Sequence, residues 1–485
     1  MMANSNSQPT VAVAGGGLAG LAAACALSDV GFRVTLFEKR PYLGGRASSY
    51  EHPGTGEIVD NCQHVLFRVC SNLVEFYERI GVAGQIRWFD QMNFIEPGGR
   101  ITVMKSSSLP APLHTAPSFL HFPFLSAADK VAITGALVPL TLTRQTDNGQ
   151  SFQQWLEHHG QTHNAMARFW RPILVSALSE ELDRVSVPAA AQVVRESMKS
   201  RDARHMGVPA IPLTDLYNAA GDYVRARGGV LHFRTSLDYL TTGESRVTVR
   251  TTNRDAERPG HVADVFDYFI SALPFDDLDR ILVDTPDSAT LREKIRHFEN
   301  SPITGIHLWF DRQISDLDHA VLLDRTIQWM FHKSRLQPMR AQGAEATASG
   351  SYIELVVSSS KTLIEKSRAE IVELALAEVR EFFPAAREAN LIKSTVIKEV
   401  NATYSPRPGI DQHRPGSVTG WPRIFLAGDW TATGWPATME GAVRSGYLAA
   451  EAVARAAGVR SSDDRPLRFV SPDLAATGLM RLSYS

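Results

Sequence analysis

Three glycines near the start of the chain stand at the spacing that lets a backbone turn bind a pyrophosphate. The sequence there reads Gly15-Gly-Gly17-Leu-Ala-Gly20. We expect Gly15 to allow a tight turn, Gly17 to let the backbone approach the phosphates, and Gly20 to let a helix pack closely on a strand. The N–H groups at the start of that helix favour an anion. Glu38 follows eighteen residues after Gly20. Its carboxylate can bind two ribose hydroxyls and would repel a 2′-phosphate.

The elements around these glycines give the motif the context it needs. Residues 11–14 predict a strand, residues 18–27 an alanine-rich helix, and residues 33–37 a second strand that ends before the acid. A glycine doublet, Gly44-Gly45-Arg46, comes next. Together the two motifs predict an FAD site, and the alternative is a glycine-rich turn in an ordinary α/β protein.

A second candidate site lies near the other end of the chain. Residues 423–427 form a short apolar run, followed by Gly428-Asp429 and by a helix predicted to begin near Glu440. FAD is too long for one strand-helix-strand unit, so a late segment has to return to the same sheet. We expect Asp429 to bind the ribityl hydroxyls and the helix N-terminus to stabilise negative charge on the flavin. The alternative is that Asp429 is a turn residue or an ordinary N-cap.

Asp60 and His64 are the best candidates for proton transfer. An imidazole has a pKa near neutrality and can give up a proton at cellular pH. Asp60 lies four residues earlier and could orient the ring or hold it charged. Glu440 is the other candidate acid, and a purely structural His64 is the alternative. No Cys/His cluster has zinc-ligand spacing and no Gly-x-Ser-x-Gly elbow occurs, so we expect neither a metal site nor a serine hydrolase.

The alternation of elements predicts an α/β fold with two interleaved domains. A Rossmann-like FAD-binding domain is expected in residues 11–84, 214–286 and 412–458, and an α+β substrate-binding domain in residues 85–213 and 287–411. Residues 1–10 are expected to be a flexible arm and residues 459–485 a C-terminal tail. Helices are predicted at 152–159, 165–178, 216–227, 363–382 and 440–456, and strands at 230–233, 246–251, 264–270, 305–310 and 352–357. The block 85–213 is expected to be irregular and mostly helical.

Composition agrees with a large soluble enzyme. The chain has 485 residues, of which 44% are hydrophobic and 21% charged, and its net charge of −2 gives no sign of nucleic-acid binding. Three cysteines are too few for a disulfide framework, and a cytoplasmic location is the default. The N-terminus lacks the basic start of a signal peptide, and no apolar run is long enough to predict a spanning helix.

Residues 119–142 come nearest to a membrane-active segment. Ser126 followed by Asp129 predicts a helix N-cap with an acid in the first turn. Pro123 and Pro139 make the segment a poor membrane span. A buried or substrate-lining helix is the main interpretation, and a surface that dips into a bilayer is the alternative. Residues 473–482, with several apolar side chains, are a second candidate for peripheral membrane contact on the inner face of the cytoplasmic membrane.

These motifs resemble those of the amine oxidase and phytoene desaturase superfamily of flavoenzymes. Two stretches are similar to the squalene-associated FAD-dependent desaturases, which are hydroxysqualene dehydroxylases of hopanoid biosynthesis. They are residues 59–66, Val-Asp-Asn-Cys-Gln-His-Val-Leu, and residues 426–446, which include Ala-Gly-Asp-Trp-Thr-Ala-Thr-Gly-Trp-Pro-Ala-Thr-Met-Glu-Gly. The resemblance covers residues 11 to about 458. It departs at Cys62, where a glycine is expected, and at residues 180–187.

The resemblance implies a reductive loss of water. Protonation of the allylic hydroxyl of hydroxysqualene would release water, and hydride from reduced FAD would then give squalene. It also implies a prenyl-lipid substrate, an unidentified reductant and a dry apolar tunnel. The cofactor contacts expected from the motifs and the resemblance are Gly15, Gly17, Leu18, Ala19, Gly20, Glu38, Lys39, Gly45, Arg46, Leu237, Gly428, Asp429, Thr438, Met439 and Ala442.

Two other functions remain open at this point. The first is a carotenoid-type desaturase or isomerase, with the same fold and the opposite redox direction. Residues 439–443, Met-Glu-Gly-Ala-Val, are also similar to plant-type phytoene desaturases. The second is a non-catalytic protein that binds FAD or a prenyl lipid, against which the intact cofactor motifs argue.

Overall fold

The computed structural model describes residues 8–243, 245–254, 260–282, 285–338 and 350–484. Residues 1–7 of the predicted arm lie outside these ranges. The strands are β1 (Thr10–Ala14), β2 (Arg33–Phe37), β3 (Ser49–Glu51), β4 (Ile58–Asp60), β5 (Leu66–Phe67), β6 (Ile86–Phe89), β7 (Gln91–Ile95), β8 (Ile101–Lys105), β9 (Met206–Pro209), β10 (Val230–His232), β11 (Thr235–Thr242), β12 (Val247–Asn253), β13 (Gly260–Phe266), β14 (Tyr268–Ser271), β15 (Asn300–Phe310), β16 (His319–Leu322), β17 (Trp329–His332), β18 (Ser351–Ser358), β19 (Leu391–Tyr404) and β20 (Ile424–Leu426).

The helices lie between groups of these strands. They are α1 (Leu18–Asp29), α2 (Ser71–Arg79), α3 (Ala116–Leu120), α4 (Ala127–Leu142), α5 (Phe152–His158), α6 (His163–Ala165), α7 (Arg171–Leu178), α8 (Val187–Met198), α9 (Leu213–Ala226), α10 (Phe275–Ile281), α11 (Pro286–Ile295), α12 (Lys333–Leu336), α13 (Lys361–Ile364), α14 (Arg368–Phe382) and α15 (Met439–Ala456).

A parallel sheet with the strand order β10-β2-β1-β14-β20 forms the centre of one half of the molecule. The apolar residues of β1 are buried because both faces of the sheet are covered. Helices α1, α9 and α15 pack on one face, and the antiparallel sheet β11-β12-β13 packs on the other. The strands come from distant parts of the chain, which agrees with the discontinuous Rossmann-like α/β domain that the sequence predicts. The domain boundaries themselves stay a prediction.

Helices α1 and α15 approach each other closely. A Cβ on Gly446 of α15 would lie 2.2 Å from the carbonyl oxygen of Ala19 in α1. The alanine-rich sequence of α1 is buried on all sides, so small residues set this short distance. The N-termini of both helices therefore lie near the carboxyl ends of the parallel strands, where open α/β sheets bind ligands.

The other half of the molecule is built on a mixed sheet with the order β19-β15-β18-β17-β16-β7-β8. Helix α14 packs on one face of this sheet. The bundle of α4, α5, α7 and α8 packs on side chains of β7, β8 and β16. Helix α4 begins as the sequence predicts: Ser126 and Asp129 form a capping box. In the ranges that the structure describes, no helix combines the length and the apolar character needed to span a bilayer.

Several sequence predictions of single elements are wrong in detail. The strand predicted at 264–270 is two strands in different sheets, since the chain leaves β13 and enters β14 at Asp267, whose carboxylate accepts two hydrogen bonds from Thr10. The helix predicted at 165–178 contains a π-helical segment at Met166–Trp170. The helix predicted at 363–382 restarts at a capping box on Ser367. The block 85–213 also supplies β6 to β9, which its prolines and irregular pattern concealed.

Candidate functional site

The glycine turn after β1 has the shape that the sequence predicts. Gly15 has φ +109°, and a Cβ at this position would lie 2.7 Å from the carbonyl oxygen of Ala272. A Cβ on Gly20 would lie 1.9 Å from the carbonyl oxygen of Gly15, so only glycine lets α1 start this close to the turn. Gly17 is different, because the nearest atom to its Cβ would be the Cα of Gly45, 3.8 Å away. A Cβ at Gly17 would therefore fit without a clash, and the two glycine motifs are in direct backbone contact, since the N–H of Gly44 donates to the carbonyl oxygen of Gly16 at 2.9 Å.

Glu38, directly after β2, binds the backbone of the first glycine turn and of the segment that leads to the glycine doublet. Its Oε2 accepts a hydrogen bond from the N–H of Gly16 at 2.7 Å, and its Oε1 accepts one from the N–H of Arg40 at 2.7 Å. The carboxylate is buried but lies on the wall of the cavity described below. Each oxygen keeps a second acceptor position. The ribose contact predicted for Glu38 stays a prediction.

Arg46 and Asp429 bring the early and the late motif into direct contact. Nη2 of Arg46 donates to Oδ1 of Asp429 at 2.7 Å, and Nη1 donates to the carbonyl oxygen of Ala402 at 2.8 Å. Gly428 has φ +137°, and its N–H donates to the hydroxyl of Ser445 in α15 at 2.7 Å. The segment after β20 is thus held between the glycine doublet and the last long helix.

Arg414 holds the loop between β20 and α15 by hydrogen bonds, and this role was not predicted from the sequence. The buried guanidinium donates to the carbonyl oxygens of Asp429, Thr431 and Trp435 at 3.2, 2.5 and 2.6 Å. A single arginine in an irregular stretch carries no sequence signal of this role. Thr438, which was predicted as a cofactor contact, is the N-cap of α15 and accepts from the N–H of Gly441 at 3.1 Å.

A single cavity of about 1310 Å³ joins the two motifs to an apolar region. Every predicted cofactor contact except Gly20 lies on its wall, as do His64 and Glu440, whereas Asp60 does not. Gly20 lies behind the turn because of its packing role. The cavity continues away from the glycines into what we call the apolar lobe, lined by Met92, Phe94, Met104, Leu113, Phe119, Leu137, Val138, Phe169, Ile173, Val321, Trp329, Phe331 and Val356.

The prediction that Glu440 is a catalytic acid is corrected by its hydrogen bonds. Its Oε2 accepts from the N–H of Leu73 at 2.8 Å, and its Oε1 accepts from the side chain of Asn72 at 2.9 Å. These donors belong to the first turn of α2, so the carboxylate caps that helix. Burial raises the pKa of Glu440 above its usual 4.5, although the donors of α2 act in the opposite direction. Its oxygens are directed to α2 and not to the apolar lobe.

The prediction that Asp60 orients the imidazole of His64 is also corrected. Asp60 is buried, and its carboxylate accepts hydrogen bonds from Lys333 at 2.5 Å and from the hydroxyl of Ser49 at 2.5 Å. Lys333 is equally buried, donates to the side chain of Gln63 at 2.7 Å and lies 3.4 Å from Glu354. Asp60 therefore belongs to a buried charge cluster beneath the loop that carries His64. Nothing in the sequence linked Lys333, far away in the chain, to this cluster.

His64 is oriented by the backbone of its own loop. Its Nδ1 lies 2.7 Å from the carbonyl oxygen of Cys62, so Nδ1 carries the proton and Nε2 is the acceptor. Burial lowers the pKa of His64 below its usual 6.5. The ring on the cavity wall is therefore neutral at about pH 7, and it offers a lone pair. Gln63 supports the loop by donating to the carbonyl oxygen of His64 at 3.0 Å.

Comparison with known proteins agrees with this arrangement. A model of the family described as flavin containing amine oxidoreductase matches residues 18–454. The chain belongs to this family. It is 26% identical over 470 residues to a 15-cis-phytoene desaturase of Synechococcus elongatus, covering 91% of this chain and 95% of that one. It is 26% identical over 477 residues to a probable zeta-carotene desaturase of the same organism, covering 92% and 98%. An oxidoreductase from Methanosarcina mazei shares the fold, with a TM-score of 0.68, 17% identity and coverage of 90% and 98%.

Membership of this flavin-containing family makes FAD the cofactor, and the geometry fits it. Gly17 and Gly45 both lie on the cavity wall, so a phosphate in the cavity can approach their backbone without a side chain between them. The residues that would hold the dinucleotide are the turn after β1, Glu38 and the Arg46–Asp429 pair. The N-terminus of α15 faces the same cavity through Met439 and Ala442.

Cationic side chains at the adenosine end of the cavity were only partly foreseen. Lys39 was predicted, and it pairs with Asp277 at 2.6 Å. Arg40, Arg254 and Arg280 also line the cavity and were not predicted; the last two lie far from the glycine motif in the chain. Burial lowers the pKa of Lys39. Residues 272–274, which follow β14, complete this wall, and their position after an apolar strand was a usable signal.

Proposed function

We propose that this protein is an FAD-dependent oxidoreductase that exchanges a hydride with a long isoprenoid lipid, and that desaturation is the direction its site supports best. The observation that carries the proposal is the continuity of one cavity from Gly15 at the glycine turn to Val138 in α4. A nucleotide with its flavin needs only the first part of this space. The remainder is the apolar lobe, which a polar substrate would not fill.

The apolar lobe suits a hydrocarbon chain. Its wall combines aromatic rings from the mixed sheet with aliphatic side chains from α4 and α7, and a chain placed there loses its contact with water. Isoprenoid chains are long, branched and almost free of polar atoms. The curated relatives that are named phytoene and zeta-carotene desaturases support the same class of substrate.

Desaturation requires a hydride acceptor and a base, because two hydrogens leave neighbouring carbons as a hydride and a proton. FAD supplies the acceptor when it is bound. His64 is placed to take the proton, since its ring is neutral, its Nδ1 is held by Cys62, and its Nε2 is an acceptor on the cavity wall. The apolar lobe excludes water, which keeps the base from being hydrated. The electrons then leave to an acceptor whose identity stays open.

Reductive dehydroxylation of hydroxysqualene to squalene is the second candidate. It is supported by residues 59–66 and 426–446, which are similar to the stretches of the hydroxysqualene dehydroxylases. This direction requires a proton donor for the leaving hydroxyl and an external reductant. Glu440 is directed to α2, Asp60 lies off the cavity, and His64 is neutral, so none of the three predicted acids is arranged as that donor.

An anaerobic assay in both directions separates the two candidates. The oxidised holoenzyme is mixed with phytoene or zeta-carotene, and the reduced holoenzyme with hydroxysqualene, while flavin absorbance and products are followed by mass spectrometry. We expect bleaching of the oxidised flavin by a polyene, with a product that has lost two hydrogens. Flavin reoxidation by hydroxysqualene with formation of squalene would instead establish the dehydroxylase. Tight lipid binding without either reaction would support a binding protein.

We further propose that the protein acts at the cytoplasmic face of a membrane, through a surface that we call the apolar lip. It consists of Leu113, Leu120, Val131, Val138, Leu142, Leu479 and Leu482, all exposed. Two distant segments build it, since the N–H of Leu479 donates to the carbonyl oxygen of Ala111 at 2.8 Å and Lys130 donates to that of Leu120 at 2.8 Å. Leu113 and Val138 belong to both the apolar lip and the cavity wall. A lipid would therefore enter the cavity at the bilayer surface.

Liposome co-sedimentation tests this location. Leu120, Val131 and Leu482 expose 62%, 74% and 77% of their surface, so changing them to serine should weaken membrane binding without loss of stability. Val418 is a matched control because it is 65% exposed but lies outside the apolar lip. Equal sedimentation of the triple variant, Val418→Ser and the wild type would contradict the proposal.

A further inference from the structure

Arg204 brings a positive charge to the wall of the apolar lobe. It ends the short helical turn Asp202–Arg204, and its side chain lines the cavity. Among the described residues, its hydrogen bond goes from Nη2 to the sulfur of Met104 at 3.1 Å. A thioether is a weak acceptor and a guanidinium has five N–H donors, so most of the donors of Arg204 have no strong partner.

The neighbouring acids do not neutralise Arg204. In the part of the chain that the structure describes, no carboxylate lies within ion-pair distance of its guanidinium. Glu196, which shares the cavity wall, is already bound by Lys199 at 3.0 Å and by the hydroxyl of Tyr484 at 3.1 Å. Burial lowers the pKa of Arg204 to about 10, so the group still carries its charge at neutral pH. Arg204 is half-buried, and a cation that is partly removed from water without an acceptor is costly.

His114 is close enough to Arg204 to be affected by its charge. The ring is fully buried, and both of its nitrogens lack a hydrogen-bond partner among the described residues. Burial, together with the charges of Arg204 and Arg201, lowers the pKa of His114 to about 4, so the ring is neutral. Leu113 and Thr115 on either side of it line the cavity. His114 itself is not on that wall, whereas Arg204 is, so a ligand in the cavity can reach the N–H donors of Arg204.

We propose that Arg204, with the neutral His114 behind the wall, forms a polar subsite that binds the oxygen-bearing end of a long-chain isoprenoid ligand. The chain of this ligand would lie in the apolar lobe, and its terminal carboxylate or carbonyl oxygen would accept the N–H donors of Arg204. A pure hydrocarbon offers no such acceptor. The inference rests on the proposed use of the cavity for isoprenoids and adds that one natural ligand of the cavity is oxygenated.

The position of the subsite fits a ligand that reaches the cofactor. Ala203 packs with Val69 and with Trp435, which belongs to the loop that precedes α15. On the other side, His114 follows Leu113 of the apolar lip. The subsite therefore lies between the cofactor loop and the surface through which we propose that lipids enter.

Calorimetric titration of the FAD-loaded protein tests the subsite without any need for turnover. The probes are geranylgeranoic acid, geranylgeranial and the hydrocarbon with the same chain. We expect the wild type to bind the acid about 10- to 100-fold more tightly than the hydrocarbon, as charge-assisted hydrogen bonds allow. Arg204→Met should remove this preference and leave hydrocarbon binding unchanged. Arg201→Met is the matched control, because Arg201 is an exposed arginine three residues away.

The titration results test the subsite and the isoprenoid cavity separately. Equal binding of the three probes to the wild type, or an unchanged preference in Arg204→Met, overturns the subsite and leaves the isoprenoid cavity standing. Failure of all three probes to bind overturns both proposals. A preference for the acid over geranylgeranial identifies a carboxylate ligand, and equal affinity for the two identifies a carbonyl. If Arg204→Met does not fold, Arg204→Lys keeps the charge without the planar fork, and its preference should be weaker than that of the wild type.

Discussion

Replacing Gly17 and Gly20 by alanine should separate cofactor binding from folding. Gly17 has φ −78° and ψ 177°, which any residue adopts, and its Cβ would have 3.8 Å to the nearest atom. Gly17→Ala should therefore leave the free energy of unfolding of the apoprotein unchanged or raise it by about 0.5 kcal/mol. The added methyl group lies where the pyrophosphate has to approach. An overpacking cost of about 1–3 kcal/mol corresponds to a loss of FAD affinity of about 5- to 150-fold.

Gly20→Ala should have the opposite profile. Its Cβ would lie 1.9 Å from the carbonyl oxygen of Gly15 and 3.2 Å from the Cβ of Ala272, so α1 has to move. We expect a loss of stability of about 3 kcal/mol or more, with flavin lost as a consequence. The measurements are urea unfolding of the apoproteins and the ratio of flavin to protein absorbance after dialysis. A Gly17→Ala protein with full flavin content and unchanged affinity would refute the assignment of the phosphate site.

Three further outcomes follow from the charged groups. Lys333→Met should lower the free energy of unfolding by about 3–5 kcal/mol, because it leaves the buried carboxylate of Asp60 without its cation. Adding Asp60→Asn to this variant should restore part of the loss. The control is Lys393→Met at an exposed ion pair, which should cost less than about 1 kcal/mol in the same urea experiment. Burial raises the pKa of Glu440, so the folded state binds the carboxyl proton more tightly than the unfolded state does. The free energy of unfolding should therefore fall as the pH rises from 4.5 through the pKa of the folded state. Glu440→Gln should lack this slope. Burial lowers the pKa of His64, so if His64 is the base, the single-turnover rate should decline only below pH 6.5. His64→Gln should lose this pH dependence. A decline of the rate on the alkaline side would instead identify a catalytic acid.

The sequence predicted the cofactor half of the site well because its signals are local. The turn at Gly15 and the acid at Glu38 follow from spacing within one strand-helix-strand unit, and their geometry agrees with the prediction. The capping box at Ser126 is equally local, since both partners lie within one helical turn. In contrast, the pairing of Arg46 with Asp429 joins residues that are far apart in the chain, and only the fold brings them together.

The substrate half was less predictable because its chemistry depends on long-range partners. Asp60 and His64 looked like a pair from their spacing, but each is held by a different group, Lys333 and the carbonyl oxygen of Cys62. Glu440 looked like an acid near the flavin, and the N-terminus of α2 takes its oxygens instead. Spacing in the chain places two side chains in one neighbourhood, but it does not decide which donor reaches a carboxylate first.

The arrangement of these groups bears on the direction of the reaction. A reductive loss of water needs a group that holds a proton near the substrate at cellular pH. The group on the cavity wall, His64, is held by its surroundings in the neutral state, with the lone pair of Nε2 available and the proton of Nδ1 committed to Cys62. Glu440 binds its proton more tightly than an exposed carboxyl does, but its oxygens face α2. A site that offers an acceptor and withholds its donors is arranged to remove a proton and a hydride together, which is why desaturation is the proposal we place first.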